Sequence, residues 1–145
     1  RGIAHCDIKP ENILFDSNMN PILIDFGFSS DNISTTDSQY RRGTTGYAAP
    51  ELFQRTTSIN LKVADIYSIG IVLDHIFIKK NIFMSTQLKI NNQDKSSDLT
   101  MKKLIKNCLE FDPIRRPTIE EILNHNLFNK AKSHIREEND EKQVQ

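Results

Sequence analysis

The segment HCDIKPEN, from His5 to Asn12, places an acid, a lysine and an asparagine within six residues of one another. A phosphoryl-transfer site needs an acceptor for the proton of the attacking hydroxyl, oxygen ligands for a metal ion, and a cation near the moving group. Asp7 has the chemistry of the proton acceptor, Asn12 offers an amide oxygen, and Lys9 supplies the positive charge. The segment therefore predicts a site of phosphoryl transfer.

A second acid follows in the segment DFG, from Asp25 to Gly27. It comes directly after the apolar run ILI at residues 22–24, which is typical of a strand, and a strand is a rigid element that can aim a side chain. Magnesium prefers hard oxygen ligands and usually takes only one or two from protein. Asp25 and Asn12 are therefore a candidate pair of magnesium ligands.

Each of these residues also has a plain structural explanation. Asp7 taken alone is a good helix cap, Asn12 alone is a common turn residue, and DFG alone can end any strand. His5, Cys6 and Asp7 together are a possible ligand set, but no second cluster has ligand spacing, so we do not expect zinc. The remaining histidines, His75, His125 and His134, are expected at the surface or in packing.

The composition indicates a soluble globular chain: 26% of the 145 residues are charged and 37% are hydrophobic. Basic and acidic residues number 19 each, so no net field attracts nucleic acid or a membrane surface, and we expect neither as a partner. Cys6 and Cys108 do not form a disulfide framework and are expected to be inert, buried thiols. This favours an intracellular location, in cytoplasm or nucleus, and the first ten residues lack the apolar stretch of a signal peptide.

Local patterns predict a mainly α chain with one small β hairpin. The hairpin joins NILF at 12–15 to PILID at 21–25 through a turn-like DSNMN segment. A buried helix is expected at 63–78, because this apolar stretch is too long for an ordinary strand. We expect a long loop at 27–45 and a polar connector at 79–98.

Two further helices are expected after the connector. The first has Asp98 or a neighbouring serine as its cap and carries apolar residues at helical spacing from Leu104 onward. The second begins at a capping box formed by Thr118 and Glu121. The charge-mixed tail 129–145 is expected to be a frayed or solvated helix.

Taken together, the motifs resemble those of the eukaryotic protein kinase superfamily, in its serine/threonine type. The family pattern runs H-R-D-L-x-x-x-N, then D-F-G, then A-P-E, and this chain reads HCDIKPEN, DFG and AAPE at Ala48–Glu51. It continues with DIYSIG at 65–70, similar to D-x-W-S-x-G, and CLEFDPIRRPT at 108–118, similar to L-x-x-D-P-x-x-R-P-T. The resemblance covers Arg1 to about Phe128, and several motifs in family order are far more specific than any one alone.

The resemblance implies a role for each matching residue. Asp7 is implied as the catalytic base, and Lys9 as the lysine that contacts the transferred phosphate in serine/threonine kinases. Asn12 and Asp25 are implied as Mg²⁺ ligands that bind ATP together with Lys9, and Leu14 as the residue that packs beneath adenine. The other implied positions are Thr44, in the loop that receives the peptide near Asp7 and Lys9, and the structural residues His5, Phe26, Glu51, Asp65 and Arg116.

The structural residues are implied to hold the site together. Glu51 and Arg116 match a pair that forms a buried ion bridge. Asp65 matches a residue that anchors the catalytic loop from the buried helix. His5 and Phe26 match two members of a stacked apolar spine.

The chain departs from the family pattern at several positions. Cys6 replaces an arginine that binds a phosphate on the activation loop, and a thiol cannot make that bidentate contact. We therefore expect weak dependence on phosphorylation of that loop. Tyr67 replaces the usual tryptophan and Thr45 the usual proline, and both changes are expected to be tolerated.

The resemblance implies the C-terminal lobe of a protein kinase, lacking the N-terminal lobe, with a partial kinase domain at 1–128 and a charged tail at 129–145. In the complete protein it implies transfer of the ATP γ-phosphoryl group to serine or threonine hydroxyls of protein substrates. Because no Gly-rich loop or strand lysine precedes Asp7, the 145-residue chain alone is expected to be inactive. Two alternatives stay open: a pseudokinase or scaffold of the same fold, and a non-enzymatic helical interaction module.

Overall fold

A computed structural model describes residues 2–31, 34–35, 43–54, 59–87 and 95–128. Within these ranges the chain is mainly helical, with one small antiparallel hairpin, so the predicted combination of helices and hairpin is confirmed. The predicted tail at 129–145 lies outside the described residues. No helix in the described part of the chain is long and apolar enough to span a bilayer.

The predicted hairpin is present as β1 (Ile13–Phe15) and β2 (Pro21–Leu23), which pair antiparallel with Ile13 opposite Leu23. Its turn is organised by Asp16, whose Oδ1 accepts hydrogen bonds from the backbone N–H groups of Asn18 and Asn20, both at 2.8 Å. This side-chain–backbone pattern explains why a polar segment connects the two strands without glycine or proline.

The segment expected to be a long loop also contains a short strand. β3 (Ser34–Thr35) pairs antiparallel with β4 (Ile59–Asn60), a segment distant in sequence. The prediction of a loop at 27–45 is therefore wrong at these two residues, because pairing with a distant segment supplies their backbone hydrogen bonds. The parts of that loop at 32–33 and 36–42 lie outside the described residues.

The buried helix is longer than expected. α1 (Leu61–Gln87) begins where the Asn60 side chain accepts hydrogen bonds from the N–H groups of Lys62 and Val63. It continues beyond residue 78, so the connector prediction is wrong at 79–87. The prediction is also wrong at 95–98, where the next helix has begun, and residues 88–94 lie outside the described residues. No glycine or proline occurs between Gly70 and Pro113, so nothing in the sequence ends the helix at residue 78.

The next helix begins earlier than expected. α2 (Lys95–Cys108) includes Ser96, Ser97 and Asp98, so the prediction that Asp98 or a neighbouring serine is the cap is wrong. The charge of Asp98, in the first turn, still interacts favourably with the positive end of the helix dipole. α3 (Ile119–Leu123) begins at the predicted capping box: Thr118 Oγ1 accepts from the Glu121 N–H, and the Glu121 carboxylate accepts from the Thr118 N–H.

α1 contributes to two apolar clusters. One consists of Ala4, Cys6, Ala49, Leu52, Ile59, Leu61 and Ala64, and the other of Ile66, Leu104, Cys108 and Ile122. Gly70 lets α1 and α2 approach closely, because a Cβ there would lie 2.8 Å from the Cys108 Cβ. Cys108 is buried as predicted, and burial raises the pKa of its thiol to about 11, although nearby Arg116 opposes the rise. The protonated form, which is a poor nucleophile, is therefore favoured at neutral pH.

Candidate active site

Asp7 lies at the centre of a cluster of hydrogen bonds, with only 3% of the residue exposed. Its Oδ1 accepts from the Thr44 N–H at 2.8 Å and from the Thr44 hydroxyl at 2.7 Å. Its Oδ2 accepts from Lys9 Nζ at 2.8 Å and from Asn12 Nδ2 at 3.1 Å. The fold thus brings together four of the residues singled out in the sequence, from two segments of the chain.

The environment of Asp7 favours its ionised form. Burial raises the pKa of Asp7, but the hydrogen bonds from Lys9 and Thr44 and the charge of Lys9 together hold it below the ordinary value of 3.8. The hydrogen bond to Asp7 in turn raises the pKa of Lys9, against a smaller opposing effect of desolvation. At neutral pH the pair is therefore a carboxylate and an ammonium group.

Thr44 reaches Asp7 because Gly43 lets residues 43–48 approach residues 5–12. After the roles that the resemblance implies, these segments are named the substrate loop and the catalytic loop. Gly43 has a φ of +98°, and a Cβ there would lie only 2.8 Å from the carbonyl oxygen of Cys6. Only glycine accommodates both that dihedral and that contact. The Thr44 hydroxyl also accepts a hydrogen bond from Lys9 Nζ at 2.8 Å, so Thr44 bridges the two residues.

The side chain of Asp65, on the first turns of α1, holds the catalytic loop through two hydrogen bonds. One oxygen of its carboxylate accepts from the His5 N–H at 2.6 Å, and the other accepts from the Cys6 N–H at 2.8 Å. Burial raises the pKa of Asp65, and these two backbone hydrogen bonds partly offset the rise. Cys6, which directly precedes Asp7, has a φ of +66°, so the loop turns sharply immediately before Asp7.

His5 connects the catalytic loop to the DFG segment. Its Nδ1 accepts from the Asp7 N–H at 3.2 Å, which leaves the proton on Nε2, and Nε2 then donates to the Ile24 carbonyl at 2.9 Å. The His5 and Phe26 rings meet edge to face, with centroids 4.8 Å apart. A single side chain thereby fixes Asp7 relative to Asp25, which lies between Ile24 and Phe26.

Asn12 and Asp25 lie at the same end of the hairpin. The Ile24 N–H donates to the Asn12 carbonyl at 2.9 Å, which places the residue before Asp25 directly beside Asn12. The Asn12 amide nitrogen donates to the backbone carbonyl of Asp7 and to the Asp7 carboxylate. The Asn12 amide oxygen is therefore the atom that a cation would contact. Asp25 is exposed in a left-handed conformation, with one oxygen accepting from the Gly27 N–H at 3.2 Å.

Leu14, implied to pack beneath adenine, lies on β1 opposite Ile22 and is 52% exposed. It is positioned by the hairpin and is separate from the hydrogen-bonded cluster around Asp7. Within the described residues, no group of three or more His, Cys, Asp or Glu side chains is arranged to hold a metal ion.

Cys6 has a different environment from the one that a phosphate-binding residue needs. The residue is 6% exposed and belongs to the apolar cluster that contains Ala49 and Leu61. A thiol suits this position because it behaves as a small apolar group.

Three contacts of the substrate loop were not anticipated from the sequence. The Ser68 hydroxyl donates to the Tyr47 carbonyl at 2.9 Å, and the Tyr47 hydroxyl lies 3.4 Å from His75 Nδ1. The Tyr47 and His75 rings also meet edge to face, with centroids 5.5 Å apart. A possible signal was the position of Ser68, three residues after Asp65 and therefore on the same face of α1.

Comparison with known proteins identifies the family to which this chain belongs. The sequence model of the protein kinase domain family matches residues 1–128. The chain therefore belongs to the eukaryotic protein kinase superfamily, serine/threonine type.

Three relatives show the extent of the similarity. Serine/threonine-protein kinase ppk34 of Schizosaccharomyces pombe is 36% identical, over 93% of this chain and 41% of that protein. A putative serine/threonine-protein kinase of Acanthamoeba polyphaga mimivirus is 34% identical, over 86% and 50%. The phosphorylase b kinase gamma catalytic chain, liver/testis isoform, of Bos taurus is 32% identical, over 90% and 36%. The chain thus spans half or less of the length of these relatives.

Proposed function

We propose that the protein containing this chain transfers the γ-phosphoryl group of ATP to serine or threonine hydroxyls of protein substrates. The observation that carries the proposal is the Asp7 carboxylate, which is buried, held ionised, and bonded to Lys9, Asn12 and Thr44. An oriented carboxylate beside an ammonium group is the arrangement that phosphoryl transfer to a hydroxyl needs.

Each reacting group has a residue to serve it. The substrate hydroxyl oxygen forms a bond to the γ-phosphorus, the bond from that phosphorus to the β–γ bridging oxygen breaks, and ADP leaves. Asp7 accepts the hydroxyl proton, which increases the nucleophilicity of the oxygen. Lys9 balances negative charge on the transferred group, and its bond to Thr44 places that charge beside the substrate loop.

The oxygens of Asn12 and Asp25 fit a magnesium ion. The Asn12 ligand is its amide oxygen, because the amide nitrogen donates a hydrogen bond to Asp7. The Asp25 ligand is an exposed carboxylate at the same end of the hairpin. Mg²⁺ takes one or two protein oxygens and otherwise water and phosphate. When bound with ATP, it would neutralise charge on the phosphate oxygens.

The activity is proposed for the whole protein, because the relatives extend well beyond the matched region. The Gly-rich loop and strand lysine that position the phosphates in the family have no match in these 145 residues. We propose that these residues form the C-terminal lobe, that the chain by itself shows no turnover, and that its partners are protein substrates inside the cell, not nucleic acids or membranes.

The proposal is tested with the full-length protein, labelled ATP and a protein substrate. We expect labelled phosphoserine or phosphothreonine in the substrate. The labelling should require Mg²⁺ and should be weaker with the Asp25→Asn variant. Asp31→Asn, an exposed residue beyond the DFG segment, is the matched control and should keep full activity. ATP binding without transfer would favour the pseudokinase, and neither binding nor transfer would favour the interaction module.

A further inference from the structure

α1 holds the substrate loop at Tyr47 through both the backbone and the side chain of that residue. The Ser68 hydroxyl donates to the Tyr47 carbonyl at 2.9 Å, and Ser68 is 5% exposed. The His75 ring meets the Tyr47 ring edge to face and places Nδ1 3.4 Å from the hydroxyl. Backbone and ring are therefore fixed from the same helix.

The residues that make these contacts share one face of α1. Asp65, Ser68, Val72 and His75 are spaced by three, four and three residues, which places them along one stripe of a helix. Asp65 holds the catalytic loop through His5 and Cys6, whereas Ser68 and His75 hold the substrate loop. One rigid face thus sets the position of the two loops relative to each other.

Tyr47 is linked to the reacting centre through a tight turn. The N–H groups of Tyr47 and Ala48 both donate to the Thr44 carbonyl at 3.0 Å, and Thr44 in turn bonds to Asp7. At the tip of this turn, Gly46 has a φ of +94°, and a Cβ there would meet no described atom within 4 Å. The described contacts that hold this turn are those of Thr44 with Asp7 and Lys9 at one end and those of Tyr47 with α1 at the other.

We propose that Ser68 and His75 are positioning residues for the peptide substrate, acting through Tyr47 on the loop that carries Thr44. The inference rests on the proposed function and extends it, because it assigns residues that affect the peptide and not ATP. Loss of either anchor lets the loop move away from Asp7, which weakens productive peptide binding while ATP binding is unchanged.

The contact with His75 does not require a particular protonation state. A tyrosine hydroxyl both donates and accepts, so it pairs with a neutral Nδ1 that accepts or with a protonated Nδ1 that donates. The inference therefore predicts an effect of side-chain removal.

The kinetic test uses the full-length protein with His75→Ala, His75→Asn, Tyr47→Phe, the double variant His75→Ala/Tyr47→Phe, and Ser68→Ala. The KM for peptide should rise about two- to ten-fold in His75→Ala and Ser68→Ala, the range of one lost hydrogen bond. The KM for ATP should stay constant.

Two further variants test the contact with His75 itself. His75→Asn should recover part of the loss in peptide KM, because its amide reaches the position of Nδ1. The double variant should have a peptide KM no higher than that of the more affected single variant. Lys79→Ala, an exposed residue one turn further along α1, is the control and should match wild type.

Amide hydrogen exchange of residues 43–48 provides a readout independent of catalysis. Exchange there should speed up in Ser68→Ala and His75→Ala and stay unchanged in Lys79→Ala. Unchanged exchange in both anchor variants, or an unchanged peptide KM despite faster exchange, would overturn the inference. If wild type transfers no phosphate, the proposed function fails, and the exchange result alone then decides whether α1 anchors the loop.

Discussion

Arg116 and Glu51, 65 residues apart in sequence, form a two-pronged ion pair with Nη1–Oε1 at 2.6 Å and Nη2–Oε2 at 2.8 Å. The side chains are 0% and 8% exposed. Arg116 also donates to the carbonyls of Glu110 and Val63, and its guanidinium lies over the Tyr67 ring at 4.9 Å. The pair therefore connects the turn at Pro50–Phe53, which follows the substrate loop, to the start of α1 and the segment after α2.

Breaking this pair should destabilise the fold strongly. Glu51→Ala leaves a buried guanidinium without its carboxylate, which typically costs about 3–5 kcal/mol. The measurement is urea unfolding, compared with Arg115→Ala, where an exposed pair with Asp112 at 3.7 Å is lost and a change below about 1 kcal/mol is expected. Equal unfolding free energies for the two variants would contradict the role given to the buried pair.

Gly43→Ala should separate the substrate loop from the catalytic loop. The added Cβ would lie 2.8 Å from the Cys6 carbonyl, and we expect a loss of about 1–3 kcal/mol in unfolding free energy from overpacking, beyond the backbone strain. Gly46→Ala is a matched control, because it has a similar positive φ but no described atom near the new Cβ. If urea unfolding gives the same loss of unfolding free energy for both variants, the close contact with the Cys6 carbonyl does not contribute to the effect of Gly43→Ala.

Asp65→Asn should loosen the catalytic loop while keeping the shape of the side chain. The carboxylate offers an oxygen to each of the His5 and Cys6 N–H groups, whereas an amide offers one oxygen and faces the other donor with its own NH₂. An unsatisfied buried donor costs about 1–3 kcal/mol, and faster exchange of the His5 and Cys6 amides should accompany that loss. Asp74→Asn, on the same helix, is the control. If the His5 and Cys6 amides exchange as slowly in Asp65→Asn as in wild type, the loop does not depend on the Asp65 carboxylate.

The pKa of Asp7 should lie below 3.8 and should rise in Lys9→Ala, because burial then acts with less opposition. A carboxyl whose pKa is lowered by folding stabilises the fold above its unfolded pKa, and that stabilisation is lost as pH falls through the folded pKa. Carboxyl-carbon NMR titration measures this directly. Asp16, whose pKa is lowered by Asn20, serves as an internal reference and should not change in the variant. A wild-type Asp7 titrating above 3.8 would contradict the electrostatic description of the site.

The hairpin and the capping box could be predicted because their signals are local. Asp16 and its neighbours form their turn with their own side chains and backbone, and Thr118 and Glu121 bond to each other across one helical turn. The kinase motifs were equally readable, since each is a short run of residues in a known order.

The errors arose where distant parts of the chain decide the outcome. The pairing of Ser34–Thr35 with Ile59–Asn60 has no local signature. The length of α1 was a different kind of error: residues 79–87 were judged by their polarity, although the sequence there contains no helix breaker. The contacts of Ser68 and His75 with Tyr47 depend on how the substrate loop packs on α1. The sequence places Ser68 on the same helix face as Asp65 but does not show which residue it contacts.

The most direct test of the central claim is the single-turnover rate of phosphoryl transfer by the full-length protein, wild type against Asp7→Asn, at saturating ATP. The substitution keeps the shape of the side chain but removes the proton acceptor, so the rate should fall about 10²–10⁴-fold while ATP affinity is unchanged. Transfer by Asp7→Asn at the wild-type rate would show that Asp7 is not the base and would contradict the proposed mechanism.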